Sequence, residues 1–274
     1  MKGPGAGVAA AALLLAPMGL WAQQPAAPHE IPMMSAQAEA PFDPTGYWVS
    51  MITHDWLFRM VVPQRGQYTD VPITLKAKEF ADTWQPGPDE AAGKQCEAYG
   101  AAVIMQVPEQ LHITWQDPGT LKVQIDAGMQ TRLLLFQANP ALAHAPPSRQ
   151  GYSVAQWMLY RTGQAPARQR AIPPPGAQQR ANAPAAPPEP HYGWLRVSTT
   201  DMLAGLLRKN GVPYSGQTRM SENWVVTEAD GDQWLTVTTI LNDAEYLSQP
   251  YVENATFKKE PNGSQWDPTA CTLD

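Results

Sequence analysis

The chain has 274 residues, 43% hydrophobic and 16% charged, with a formal net charge of −6. One large domain or two small ones fit that length, and an acidic balance with no Lys/Arg cluster excludes a nucleic-acid binder, because phosphate contact needs a basic patch. No run of about 18 apolar residues follows the first stretch of chain, which excludes a polytopic helical membrane protein, and no catalytic signature of known spacing is present.

In chain order, residues 1–22 read as a secretory signal peptide. Lys2 supplies the positive start, Val8 to Met18 the apolar core, and Leu20-Trp21-Ala22 the cleavage region. The expectation is an exported protein, periplasmic or extracellular, whose mature chain starts at Gln23 and has no transmembrane segment. Residues 23–40 are Ala/Pro/Gln-rich without apolar periodicity and read as a disordered lead-in. Residues 41–274 read as a single domain.

Within that domain the signal is alternation. Gly46 to Thr53 and Trp56 to Val62 read as two strands, followed by two helical stretches, Thr74 to Trp84 and Asp89 to Tyr99. Gln110 to Gln116 sets Leu111, Ile113 and Trp115 on one face and His112 and Thr114 on the other. A turn at Asp117 to Thr120 leads into Leu121, Val123 and Ile125, and Ala127-Gly128 turns the chain again before Met129 to Phe136. Asn139 to Gln150 is a polar loop with three prolines. Residues 162–190 hold eight prolines, eight alanines, three arginines and one glutamate. Such a segment cannot bury enough apolar surface to order itself, and reads as an insertion loop. Strand grammar returns at Trp194 to Val197, in a hairpin of Trp224 to Val226 and Trp234 to Leu241, and at Val252 to Lys258. Arg208 to Gly211 reads as a turn at a barrel mouth. Trp115, Trp157, Trp194, Trp224 and Trp234 fall in strand patterns, where core packing is the expected role.

Two cysteines, Cys96 and Cys271, lie 175 positions apart. In an exported chain the simplest reading is one disulfide that fastens the tail after Gly263 back onto the domain. Closing so long a loop removes roughly 4–5 kcal/mol of unfolded-chain entropy.

Many antiparallel strands at short spacing point to a mainly β fold. The expected form is a meander closing into a calycin/lipocalin-like barrel, with one or two short helices after the second strand. Gly46-Tyr47-Trp48 resembles the Gly-x-Trp opening of lipocalins, which implies that Trp48 lies across the barrel floor. Residues 41–271 also resemble a family of uncharacterised exported bacterial proteins. The match is carried by Phe42-Asp-Pro-Thr-Gly-Tyr-Trp-Val49, Gln95-Cys-Glu-Ala-Tyr-Gly100, Leu111-His-Ile-Thr-Trp-Gln-Asp117, Gln150-Gly-Tyr-Ser-Val154, Leu207-Arg-Lys-Asn-Gly-Val-Pro-Tyr214 and Phe257-Lys-Lys-Glu-Pro261. It implies export, a single domain and a β fold. The chain departs from it in a longer insertion at 162–190 and in His54, where an acidic residue is more usual.

For chemistry, His29, His144 and His191 lie in Pro/Ala-rich segments and read as solvated. There is no HxH or HxxxH pair, so no metal site or cofactor is expected, and no Gly-x-Ser-x-Gly elbow marks a hydrolase. A polar minority on apolar strands is the more informative set: Asp55, Arg59, His112, Arg132, Arg196 and Glu228. Trp48, Asp55, Arg59, His112 and Arg132 are the candidate binding residues, with Arg59, His112 and Arg132 pointing inward and Asp55 or Glu228 available to accept from a guanidinium. The opposite reading, that these groups face water on the polar side of each strand, fits alternation equally well. The leading expectation is therefore an exported binding or carrier protein for a small amphipathic molecule. The alternatives are an enzyme using His112 or Asp55 as acid/base, and an envelope interaction protein acting through its surface and Pro-rich arm.

Overall fold

The alternation of the first meander sets the barrel wall. A computed structural model describes residues 35–160 and 192–273. In it β2 (Gln110–Asp117), β3 (Thr120–Ile125) and β4 (Gln130–Leu135) run antiparallel. Leu111 and Ile113 of β2 face Ile125 and Val123 of β3, and all four are buried. β1 (Gly46–Met51) pairs with β2 along one edge and with the last strand, β11 (Tyr251–Glu260), along the other. β5 (Tyr152–Tyr160), β6 (Tyr192–Thr200), β9 (Arg219–Ala229) and β10 (Asp232–Asn242) complete a closed nine-strand barrel, in the order β1-β2-β3-β4-β5-β6-β9-β10-β11. Closure leaves no open sheet edge on the barrel.

One joint corrects the all-antiparallel expectation. β4 and β5 are parallel, across Leu134–Ser153 and Leu135–Val154. The connector between them must therefore return the length of the strand before β5 begins. It carries the short helix α4 (Pro140–Ala143), whose first amides are capped by the Asn139 side chain. No helix among the described residues is long and apolar enough to cross a membrane.

One end of the barrel is covered. Between β1 and β2 the chain forms α1 (Trp56–Met60), α2 (Leu75–Thr83), α3 (Pro86–Ala91) and two 3₁₀ turns, Gln95–Tyr99 and Ile104–Gln106. A separate hairpin, β7 (Gly205–Arg208) with β8 (Val212–Tyr214), leaves the barrel between β6 and β9 and joins this cap. Thr74 caps α2 by accepting from the Ala77 amide at 3.2 Å. The helix then buries Ala77 and Ala81. Ala81 belongs to a second apolar cluster with Tyr68, Leu207, Tyr214 and Leu247, distinct from the barrel core around Trp48, Trp224 and Phe257.

The C-terminal tail behaves as the cysteine reading expects. Cys96 and Cys271 are bonded, with Cα atoms 5.1 Å apart. After β11 the tail runs back up the outside of the wall. Trp266 packs edge-on against Tyr47 and His112, the Gln265 carbonyl accepts from Gln110 Nε2 at 2.7 Å, and Thr269 N–H donates to Asp126 O. Leu273 ends buried.

Three local expectations are corrected. Trp56 to Val62 is not a strand: both edges of β1 are already taken by β2 and β11, so no edge is open to it. Asp55, at φ 49°, turns the chain into α1 instead. Asp89 to Tyr99 is not one helix, because Gly93, at φ 71°, separates α3 from the 3₁₀ turn that carries Cys96. The ninth barrel strand is β5. The end of the lead-in is ordered as well: residues 35–39 form a turn, and the Ala36 carbonyl accepts from Trp157 Nε1 at 2.7 Å. The signal peptide, residues 23–34, the insertion 162–190, His29 and His191 lie outside the described residues.

Candidate binding site at the capped end of the barrel

The barrel interior is filled by side chains. Trp48 is fully buried in it and its indole N–H donates to the Pro44 carbonyl at 2.9 Å. Arg132 shares the inward parity of Leu134 on β4 and also points inside, but its acceptor is Glu222 of β9. Nη2 lies 2.7 Å from Oε2 and Nη1 3.1 Å from Oε1, and both side chains have zero exposure. Thr199 Oγ1, itself 2.8 Å from Ser153 Oγ, sits 3.5 Å from Arg132 Nη2. This bidentate pair matches charge with charge; Arg132 Nε is buried without a partner, but Arg132 does not line the cavity at the capped end. Neither Asp55 nor Glu228 is its partner. Glu228 is exposed near the β9–β10 turn and accepts from Gln233, and Arg196 is exposed on the outer face.

His112 corrects the inward expectation. It follows the parity opposite Leu111 and Ile113 and lies outside the barrel, stacked on Tyr47 with ring centroids 4.1 Å apart and covered by Trp266. Burial there lowers its pKa, and the nearby Lys122 lowers it further. His112 therefore helps hold the tail down and is remote from the cavity lining. His144 is exposed.

Of the five candidates, Asp55 and Arg59 come together at a cavity. It has a volume of about 440 Å³ and lies at the capped end, between α1, the segment after the second 3₁₀ turn, the β7 end, the start of β11 and the tail. Phe58, Val61, Val103, Val107 and Leu207 give it apolar walls, and Thr269, Ala270 and Thr272 bring the disulfide-held tail into its lining. Its outer lip is the α1 segment, where Trp56, Leu57, Met60 and Val61 are exposed.

The polar side of the cavity is dense in charge. Arg59 reaches down from α1: Nε donates to the Gln106 carbonyl at 2.9 Å and Nη2 to Ser50 Oγ at 3.2 Å, while Nη1 is buried without a protein partner. Burial lowers its pKa and the Glu253 and Asp55 carboxylates raise it. Arg208 lies over the Phe58 ring at 4.4 Å and donates through Nη1 to the Thr69 carbonyl at 2.8 Å. Glu253 shares the inward parity of Ala255 and Phe257 on β11. Burial raises its pKa, the Tyr251 hydroxyl lowers it, Asp55 raises it, and Arg208 and His54 lower it. Burial also raises the Tyr251 phenol, with Glu253 adding to the effect. At the rim, burial pushes the Glu109 carboxyl up to about 7, reinforced by the Asp126 carboxylate. His54 stands beside Asp55 and Glu253.

Glu253 and Glu109 are not among the sequence candidates, and His54 enters there only as a departure from the family pattern. Glu253 was detectable, since an acid two positions from Ala255 and four from Phe257 must share their face. Glu109 and His54 carried no local signal. Arg208 was placed at a mouth by its Gly turn, which the β7–β8 hairpin bears out. No family model matches this chain, and neither a curated protein nor a solved structure matches it.

Proposed function

We propose that this is an exported binding or carrier protein for a small, partly apolar molecule with an anionic head, held at the capped mouth rather than within the barrel. The observation that carries it is the Arg59 guanidinium, whose Nη1 is buried without a protein partner in a cavity whose apolar side is walled by Phe58, Val61 and Val107. A buried donor left unmatched is costly, and an anionic oxygen would satisfy it. Apolar walls with a few directional donors are what a small-molecule site requires. The exposed apolar lip on α1 supports an amphipathic occupant, and the disulfide supports export.

Displacement of a fluorescent fatty-acid probe by dodecanoate tests this reading. Wild-type protein is expected to bind saturably, and Arg59→Gln to weaken binding by about tenfold, the effect of one charge-assisted hydrogen bond. Saturable binding that is equal in wild type and Arg59→Gln, or no binding at all, would sink the assignment.

A further inference from the structure

Spacing along the chain gave no metal-ligand pair, yet folding brings three ligand-type side chains together from two distant segments. His54 and Asp55 follow β1, and Glu253 lies on β11 about two hundred positions later. One imidazole nitrogen and one oxygen from each carboxylate all lie within 4.8 Å of one another. From this we infer that His54, Asp55 and Glu253 form a divalent transition-metal site at the inner wall of the cavity.

The residue types set the class of ion. One imidazole with two carboxylates suits Zn²⁺, Mn²⁺ or Fe²⁺, whereas Ca²⁺ and Mg²⁺ favour all-oxygen shells and Cu⁺ favours sulfur. The imidazole is available. Its Nδ1 lies 3.4 Å from Thr53 Oγ1, and a proton there leaves Nε2 with its lone pair unused. Nε2 is itself buried and has no hydrogen-bond partner. Asp55 is available too, because its side chain does not cap α1. Among the described residues neither Asp55 nor Glu253 forms an ion pair. Two carboxylates set this close repel each other unless a cation comes between them.

Arg59 and Arg208 offset that repulsion electrostatically, but neither forms an ion pair with Asp55 or Glu253. Arg59 directs Nε and Nη2 to Gln106 O and Ser50 Oγ, and Arg208 directs Nη1 to Thr69 O. Three protein ligands at the edge of a cavity leave the remaining coordination positions facing its interior, since Asp55 and Glu253 both line it. The inference does not depend on the amphipathic-ligand reading, and its test uses metal alone.

Chelator-stripped, disulfide-intact protein is titrated with Zn²⁺ by calorimetry, and with Co²⁺ while following the visible ligand-field bands. One ion per chain is expected, with both His54→Gln and Glu253→Gln lowering affinity by at least about tenfold. His112→Gln is expected to bind as wild type does. Far-UV circular dichroism of each variant confirms that the barrel is intact. Absence of stoichiometric binding to wild type would overturn the site. So would binding that either His54→Gln or Glu253→Gln leaves unchanged. Loss of metal binding with retained probe binding would separate this site from the carrier function.

Discussion

The interior of the barrel and its capped end both hold buried charge, but they treat it in opposite ways. Inside, Arg132 and Glu222 form a two-point pair with no exposure, surrounded by Thr199, Ser153 and apolar side chains. At the cap, Arg59 keeps an unmatched nitrogen, Asp55 and Glu253 face one another without an ion pair, and about 440 Å³ is open beside them. The first arrangement matches charge with charge, leaving only Arg132 Nε without a partner, and specifies how β4 packs across to β9. The second leaves its electrostatics to be completed from outside. Neither a buried charge nor an unpartnered nitrogen alone therefore marks a binding site, since Arg132 has both; an unmatched group beside open volume, as at Arg59, does.

The largest effect that bears on this contrast is expected from the disulfide. Replacing Cys96 and Cys271 together by serine should cost roughly 4–5 kcal/mol in urea unfolding, the chain-entropy value for so long a loop. Amide exchange should quicken in the tail and in residues 95–109, which form the cavity wall, while β2 and β3 keep their protection. Equal loss of protection in the barrel would mean that cap and barrel are one cooperative unit and would break the comparison.

Next in size is the interior pair. Arg132→Met leaves Glu222 ionised and enclosed, and should cost about 3–5 kcal/mol. The Arg132→Met/Glu222→Met double variant should recover most of that loss, because an apolar pair of similar volume is close to neutral. A single-variant loss below about 1 kcal/mol, the range of exposed pairs, would show that water reaches the pair.

The smallest effect belongs to Glu109 at the cavity rim. Its folded-state pKa of about 7 lies above the ordinary 4.5. Between those values the folded chain keeps a proton that the unfolded chain has released. Its contribution to stability therefore falls as pH rises through that window and is least favourable above it. Asp126, raised by burial, acts in the same direction. Glu109→Gln imitates the protonated form. It should raise Tm by about 1–2 °C near pH 8, the modest size reflecting partial exposure, and leave it unchanged near pH 4.5. A shift of equal size at both pH values would assign the effect to packing instead of charge.

Much of the barrel was legible because its information is local. Leu111, Ile113, Val123 and Ile125 announce a two-residue period, and the turn at Asp117 to Thr120 announces the hairpin between them. Parity also holds the answer for the polar residues: Arg132 shares a face with Leu134, and His112 does not share one with Leu111. The segment Trp56 to Val62 was misread because its composition suits a strand, and only the non-local pairing of β1 on both edges denies it a partner. The cavity was the least legible part. Asp55, Glu109, Arg208, Glu253 and Thr272 come from five separate stretches, and only closure of the barrel and its disulfide brings them to one place.

The parallel joint between β4 and β5 has a consequence for how the molecule assembles. On one side of it lie β1 to β4, and on the other β5, β6, β9, β10 and β11. Within each group neighbouring strands are joined by antiparallel pairing, most of it between segments adjacent in sequence. Most pairings within the two sheets join neighbouring segments, β1 with β2 across more than 60 positions being the widest, but the barrel exists only once two seams zip, β4 to β5 and β1 to β11. The second is long, five residues on β1, and joins segments about two hundred positions apart; the first is only two residue pairs. Folding should therefore be slow at closure rather than within either sheet, as expected when the last contacts are the most distant in sequence. In the native state the seam at Leu134 and Leu135, a short stretch of the weaker parallel pairing, is where the wall should breathe first.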